Sequence, residues 1–171
     1  MLVKGPFYLK WGENPILNVS ELAFNYNVNS NDYETVDGRT YHVDGAIDCS
    51  IDITLLQSDV EALSVVLSQY YVPKGGTMST GETVTADEGA IDIVAAKCDT
   101  TDVKYPLDIT SCNGEVTRLV NAKTSLSTVD IDNNALRTVT ITFRGEPDYN
   151  EITKGVEGIL QFFKEGGITE S

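Results

Sequence analysis

The chain has 171 residues, 41% of them hydrophobic, which is long and apolar enough for one domain with its own core and excludes wholesale disorder. Twenty-six Asp and Glu against twelve Lys and Arg give a formal net charge of −14, a surface that repels phosphate backbones and argues against sequence-specific reading of nucleic acid. No apolar run approaches the roughly eighteen residues of a membrane span, and Met1 to Trp11 lacks the apolar stretch behind a basic start that marks an export signal, so the expectation is a soluble protein, not exported by that route, with no membrane partner.

In chain order, Phe7, Leu9 and Trp11 alternate with Tyr8 and Lys10 before Gly12 and Pro15 break the run, which reads as a short edge strand or an arm laid on a neighbour. In the second case Trp11 would anchor a contact; the alternative is a Trp in the core or at the sheet edge. Leu22, Phe24, Tyr26 and Val28 alternate with Ala23, Asn25, Asn27 and Asn29, a strand with one apolar and one amide-rich side, ending in the turn-rich cluster Asn29 to Asp32. Tyr33 to Val36 and Arg39 to Val43 flank Asp37-Gly38, a dipeptide suited to a two-residue hairpin turn, and Asp44-Gly45 closes that hairpin. Ile47, Cys49, Ile51, Ile53 and Leu55 then alternate with Asp48, Ser50, Asp52 and Thr54, a long strand with one apolar side and one acidic, hydroxyl-rich side. Ser58 and Glu61 are spaced as a capping box for a helix from about Asp59, with Val60, Leu63, Val66, Leu67 and Tyr70 as its buried stripe and Pro73 as its stop.

Residues Pro73 to Gly89 are polar and glycine-rich, and the expectation is a segment that is mobile or ordered by a partner. Ile91 to Cys98 reads as a central strand, Tyr105 to Ile109 and Val116 to Val120 as a hairpin about Asn113-Gly114, and Leu126 to Ile131 with Leu136 to Arg144 as another about Asp132 to Asn134. In the last strand Val139, Ile141 and Phe143 oppose Thr138, Thr140 and Thr142. The tail from Ile152 to Phe163 is too apolar for a dangling terminus, and either returns to the core or packs on another subunit. The sum is a mainly β protein, an antiparallel β-sandwich or barrel of about eight strands with one flanking α-helix. Residues 1–149 form the domain, with an N-terminal arm, and 150–171 form a C-terminal extension.

Catalytic chemistry finds little to work with. His42 is the sole histidine and reads as an exposed strand residue; no GxSxG, HExxH, Walker or dinucleotide fingerprint occurs. Asp130, Asp132 and Asn134 begin like a calcium loop, but Ala135 stands where the glycine is required. Cys49, Cys98 and Cys112, odd in number and without CxxC spacing, read as reduced thiols of a cytoplasmic chain. The expectation is no enzyme, no cofactor and no metal. What stands out is the division of strands into apolar and hydrophilic sides, which suits a sheet whose edges are joined to identical copies around a hydrophilic channel.

Those two amphipathic strands about the hairpin 31–44, the capped helix 58–70, and the closing strand 136–144 followed by Gly145-Glu146-Pro147 together resemble the tail tube proteins of long-tailed bacteriophages, related in fold to the inner tubes of contractile injection systems. The resemblance spans most of residues 16–148. It implies a structural virion protein, made in the host cytoplasm, whose β-sandwich assembles into stacked hexameric rings forming the phage tail tube, an acidic channel for DNA passage without specific binding. It places Asp48, Ser50, Asp52, Thr54, Thr138, Thr140 and Thr142 on the lumen. Subunit or ring contacts would fall at Trp11, at Asp37 and Gly38, at Gly75, Gly76, Thr80 and Gly81 of the glycine-rich loop, and at Phe162 and Phe163. Its partners would be copies of itself and other tail proteins: tape measure, terminator, baseplate and possibly sheath. A different class of reading is a carbohydrate-binding β-sandwich module using Trp11, Tyr33 and Tyr41, which requires those aromatics to share one concave patch. A two-carboxylate glycosidase-like site ranks last, because the strands offer faces rather than a cleft.

Overall fold

The computed structural model describes residues 1–95, 102–147, 152 and 158–169. Its elements are β1 (Phe7–Trp11), β2 (Asn14–Ile16), β3 (Val19–Glu34), β4 (Thr40–Leu55), α1 (Val60–Val66), β5 (Tyr71–Val72), β6 (Ala90–Ile91), β7 (Lys104–Ser111), β8 (Glu115–Ile131), β9 (Arg137–Gly145) and β10 (Leu160–Lys164). Eight strands form one antiparallel sheet in the order β2-β1-β7-β8-β9-β4-β3, with β10 on β8, while β5 and β6 pair separately. The mainly β, antiparallel fold with one α-helix is as the sequence implies.

The sheet folds over on itself. β1 and β9 stand three positions apart, roughly 14 Å in a flat sheet, yet the rings of Trp11 and Phe143 lie 5.9 Å apart edge to face. Folding at β8 puts the alternating apolar residues Cys49, Ile51, Ile53 and Leu55 of β4 and Val139, Ile141 and Phe143 of β9 against Leu9, Trp11, Leu107 and Leu119. Val66 and Leu67 join the core from the helix side, Val66 beside Ile16 and Leu55.

Several local expectations give way to this packing. Trp11 is fully buried, and its Nε1–H donates to the Ala122 carbonyl at 3.2 Å, so it is a core residue and cannot anchor a subunit contact. Its segment is β1, paired with both β2 and β7, rather than an arm. The Asn29 to Asp32 cluster is no turn: β3 and β4 are 16-residue strands forming one long hairpin, and the loop at its end is 35–39, with the Thr35 amide on the Arg39 carbonyl at 2.7 Å. Cross-strand pairing overrides the local turn preference, because polar residues cost nothing on a ribbon exposed on both sides. Similarly, β8 is a single strand where the sequence suggests two.

The helix is capped by Asp59, one residue later than the capping box predicts. Its Oδ1 accepts from the Ala62 amide at 3.1 Å. Ser58 is drawn away: its hydroxyl donates to the Arg137 carbonyl at 2.7 Å and accepts from Arg137 Nε at 3.1 Å. After Val66 a 3-10 turn, Ser68–Tyr70, completes the segment.

The glycine-rich segment orders on its own chain. Gly75 and Val84 exchange bonds with the Val84 and Gly76 carbonyls at 2.8 and 2.9 Å, Met78 bonds Glu82 at 2.8 Å, and the Ser79 amide donates to Asp92 at 2.6 Å. Val84 is buried beneath it. At Gly89, with φ +81°, a Cβ would fall 2.6 Å from the Val72 carbonyl, so the turn into β6 requires glycine. Among the described residues β6 spans Ala90–Ile91 and pairs with β5 alone, so no central strand begins there; the rest of that expected strand beyond residue 95, with Cys98, lies outside the described residues. So does the expected domain boundary at 149/150. Beyond it, Leu160–Lys164 returns to the main sheet as β10 on β8.

Candidate assembly surface

Alternation in β4 and β9 buries one set of side chains and turns the other outward. Cross-strand partners share a side, and the outward set is Asn27/Asp48, then Asn25/Ser50/Arg144/Lys123, then Ala23/Asp52/Thr142/Ser125, then Glu21/Thr54/Thr140/Thr128, then Thr138/Asp130. All seven residues expected on a channel wall therefore lie on one continuous outer face: Asp48 exposed, and Ser50, Asp52, Thr54, Thr138, Thr140 and Thr142 half-buried among their neighbours. Hydrogen bonds stitch the face across strands. Thr142 Oγ1 donates to Asp52 Oδ1 at 2.7 Å, Asn25 Nδ2 to Asp52 Oδ2 at 3.3 Å, and Thr54 and Thr140 hydroxyls meet at 3.2 Å.

The face is not uniformly acidic. Arg144, Lys123 and Lys104 are consecutive cross-strand partners, a basic row visible only once register is known. Lys123 Nζ bonds Asp102 at 3.1 Å, while Lys104 is held by Glu146 and, at 3.8 Å, by Asp102. These contacts raise the Lys104 ammonium above its ordinary value, chiefly through the Glu146 bond, and hold the Asp102 carboxyl below its own, chiefly through the Lys123 bond.

The other side of the same hairpin is apolar and only partly covered. Ile53, Ile51 and Cys49 of β4 are buried, but their β3 partners Leu22, Phe24 and Tyr26 are 39%, 45% and 52% exposed. Among the described residues β3 has β4 as its only strand neighbour, so its outer edge is open. The sequence shows the apolar stripe of β3; that it lies beyond its own core's cover is a tertiary fact.

The remaining expected contact residues do not form one patch. Asp37 and Gly38 sit exposed at the end of the long hairpin. Gly75, Gly76, Thr80 and Gly81 lie in the separate β5–β6 loop. Phe162 is exposed on β10, while its neighbour Phe163 lies beneath the Arg118 guanidinium, 4.8 Å from the ring centre, with Arg118 also bonded to Asp108 at 2.7 and 3.0 Å. The aromatic trio needed for a sugar-binding patch is not assembled: Trp11 is in the core, whereas Tyr33 and Tyr41 are cross-strand partners near the hairpin end. His42 pairs with Asp32, and the Asp132 carboxylate accepts from the Asn134 amide at 3.3 Å as in an ordinary turn. Among the described residues no three His, Cys, Asp or Glu side chains gather as metal ligands.

No protein-family model and no curated protein matches the sequence. Solved structures do match in fold. The anti-feeding prophage cap, a tube-terminating cap, aligns over 96% of this chain and 95% of its own with a TM-score of 0.57 at 12% identity. A chain of the sheath-tube complex of an extracellular contractile injection system in its extended state aligns over 92% and 88% with a TM-score of 0.57 at 10% identity. A chain of the virion of a native gene transfer agent aligns over 92% and 95% with a TM-score of 0.50 at 10% identity. The chain has the tail-tube type of fold.

Proposed function

We propose that this chain is a structural subunit of a phage tail or a related contractile injection system, joining identical copies into stacked rings around a hydrophilic bore. The observation that carries the reading is the continuous outer face from Asp48 to Thr138, polar at every position but Ala23, backed by the core and bordered by the open edge of β3. Six copies, the number the resemblance implies, would turn that face inward. Hydroxyls and carboxylates there offer phosphate few counter-charges, so DNA would slide rather than bind. Arg144 and Lys123 are the exceptions, Lys123 being held by Asp102, and they limit how acidic the wall is. The other partners of such a subunit are tape measure, terminator, baseplate and, with a contractile tail, sheath proteins.

Negative-stain microscopy of concentrated protein tests the class: hollow filaments of uniform width are expected, and a lone globule under every condition refutes it. Changing Asp48 and Asp52 together to Lys should leave rings intact and impede DNA passage; unimpaired ejection removes those residues from the bore. The likeness to a tube-terminating cap favours a second reading, in which the chain closes a tube rather than extending it. Single rings that never elongate would identify that case.

A further inference from the structure

The long hairpin changes sides part-way along. Val28 pairs with Ile47 but Ser30 pairs with Asp44, so β4 carries one extra residue, a bulge at Gly45 and Ala46. Side chains on β3 keep alternating, and Ser30 and Asp32 stay on the side of Val28. Asn31/Val43 and Tyr33/Tyr41 are therefore turned to the opposite side, that of the polar face. The bulge is built in: a Cβ at Gly45 would lie 2.9 Å from the Asn29 carbonyl.

The hairpin thus has two apolar patches on opposite sides. Near the body, Leu22, Phe24 and Tyr26 point to the core side. Beyond the bulge, Tyr33 and Tyr41, 57% and 52% exposed, point the other way with Val43. Neither patch carries a charge, whereas the reverse side of the outer half carries Asp32 with His42, and Asp44. Copies of a chain with net charge −14 repel one another, and close approach is cheapest where charge is absent. The outer half also has no third strand or helix against it among the described residues, and a lone two-stranded ribbon is marginal in water. For two copies held in the same orientation, a patch facing inward on one meets a patch facing outward on the next.

We propose that the Tyr33, Tyr41 and Val43 patch of one copy packs on the Leu22, Phe24 and Tyr26 patch of a second copy, a head-to-tail contact created by the Gly45 bulge. The proposal rests on the self-assembly reading above and names the surfaces involved. Because the two patches differ, the contact propagates from copy to copy instead of closing a symmetric pair.

The test uses the full chain with Tyr41→Lys and Tyr26→Glu, alone and combined, followed by sedimentation velocity and negative-stain microscopy; Val43→Lys stands in for Tyr41→Lys, and Leu22→Glu for Tyr26→Glu, if the first choice loses its native far-UV spectrum. Each single change should raise the concentration needed for assembly at least about tenfold, the loss expected for a buried aromatic anchor. The combined variant should recover much of it, as the new Lys and Glu meet across the contact. Single variants that assemble like the parent, or a combined variant no better than either, overturn the contact and leave the tube reading standing. A parent chain that never assembles overturns both.

Discussion

Replacing Trp11 by Phe separates a core role for the indole from an interface role. The indole N–H donates to the Ala122 carbonyl at 3.2 Å, and losing that bond costs about 1 kcal/mol. The ring also packs edge to face on Tyr105 at 5.1 Å and on Phe143 at 5.9 Å, in a site with no exposed surface. Exchanging indole for the smaller phenyl leaves part of that volume empty, adding about 1–2 kcal/mol, against about 3–5 kcal/mol for full truncation to Ala. The sum, about 2–3 kcal/mol, lowers the melting temperature of a chain this size by about 5–10 °C. Far-UV circular dichroism of dilute, unassembled protein measures it, since the only tryptophan is removed. In the parent the same residue should emit in the blue and resist acrylamide. A parent tryptophan that acrylamide quenches readily, together with a Phe variant that melts within about 1 °C of it, would place the side chain outside the core and refute the packing described.

Three further outcomes follow from single features. Gly45→Val should disturb the hairpin by forcing a side chain onto the Asn29 carbonyl; we expect a loss of about 1–3 kcal/mol in chemical denaturation together with impaired assembly, and a neutral effect on both would mean that the bulge is dispensable. The Lys104, Asp102, Lys123 and Glu146 cluster should make stability fall at both ends of the pH range. Asp102, depressed when folded, contributes above its ordinary value of 3.8 and loses that contribution as pH falls through the lower folded value; Lys104, raised when folded, contributes fully below its ordinary 10.5 and loses it as pH rises through the higher one. Melting curves of Lys104→Met and parent should therefore differ at neutral pH and converge at strongly alkaline pH, and a constant gap would exclude the linkage. Burial first, and Asp48 second, push the Cys49 thiol up, so iodoacetamide at pH 8 should label exposed Cys112 and spare Cys49 until denaturant is added; equal labelling would contradict the burial of β4.

Much of this molecule is legible in its sequence because a strand's side chains alternate with period two. That periodicity identifies which residues of β4 and β9 are apolar and which are hydrophilic, and so the seven residues of the outer face, while the three-four spacing after Ser58 identifies the helix. Asn113-Gly114 likewise marks the β7–β8 turn, where Gly114 takes φ +86°. Local chemistry misleads where distant partners compete. Ser58 has a good cap sequence, but Arg137 claims it; the Asn29 to Asp32 cluster favours a turn, but pairing with Ser30/Asp44 through Asp32/His42 carries it on as strand. Pro73 to Gly89 lacks large apolar groups, yet backbone bonds and the single side chain of Val84 order it. Whether an apolar stripe ends up covered depends on what folds over it, which is why Trp11 is interior and Phe24 half-exposed although both sit on alternating strands. The basic row and the change of sides at Gly45 belong to register, which no single strand carries by itself, because each exists only in how one strand is aligned against the next.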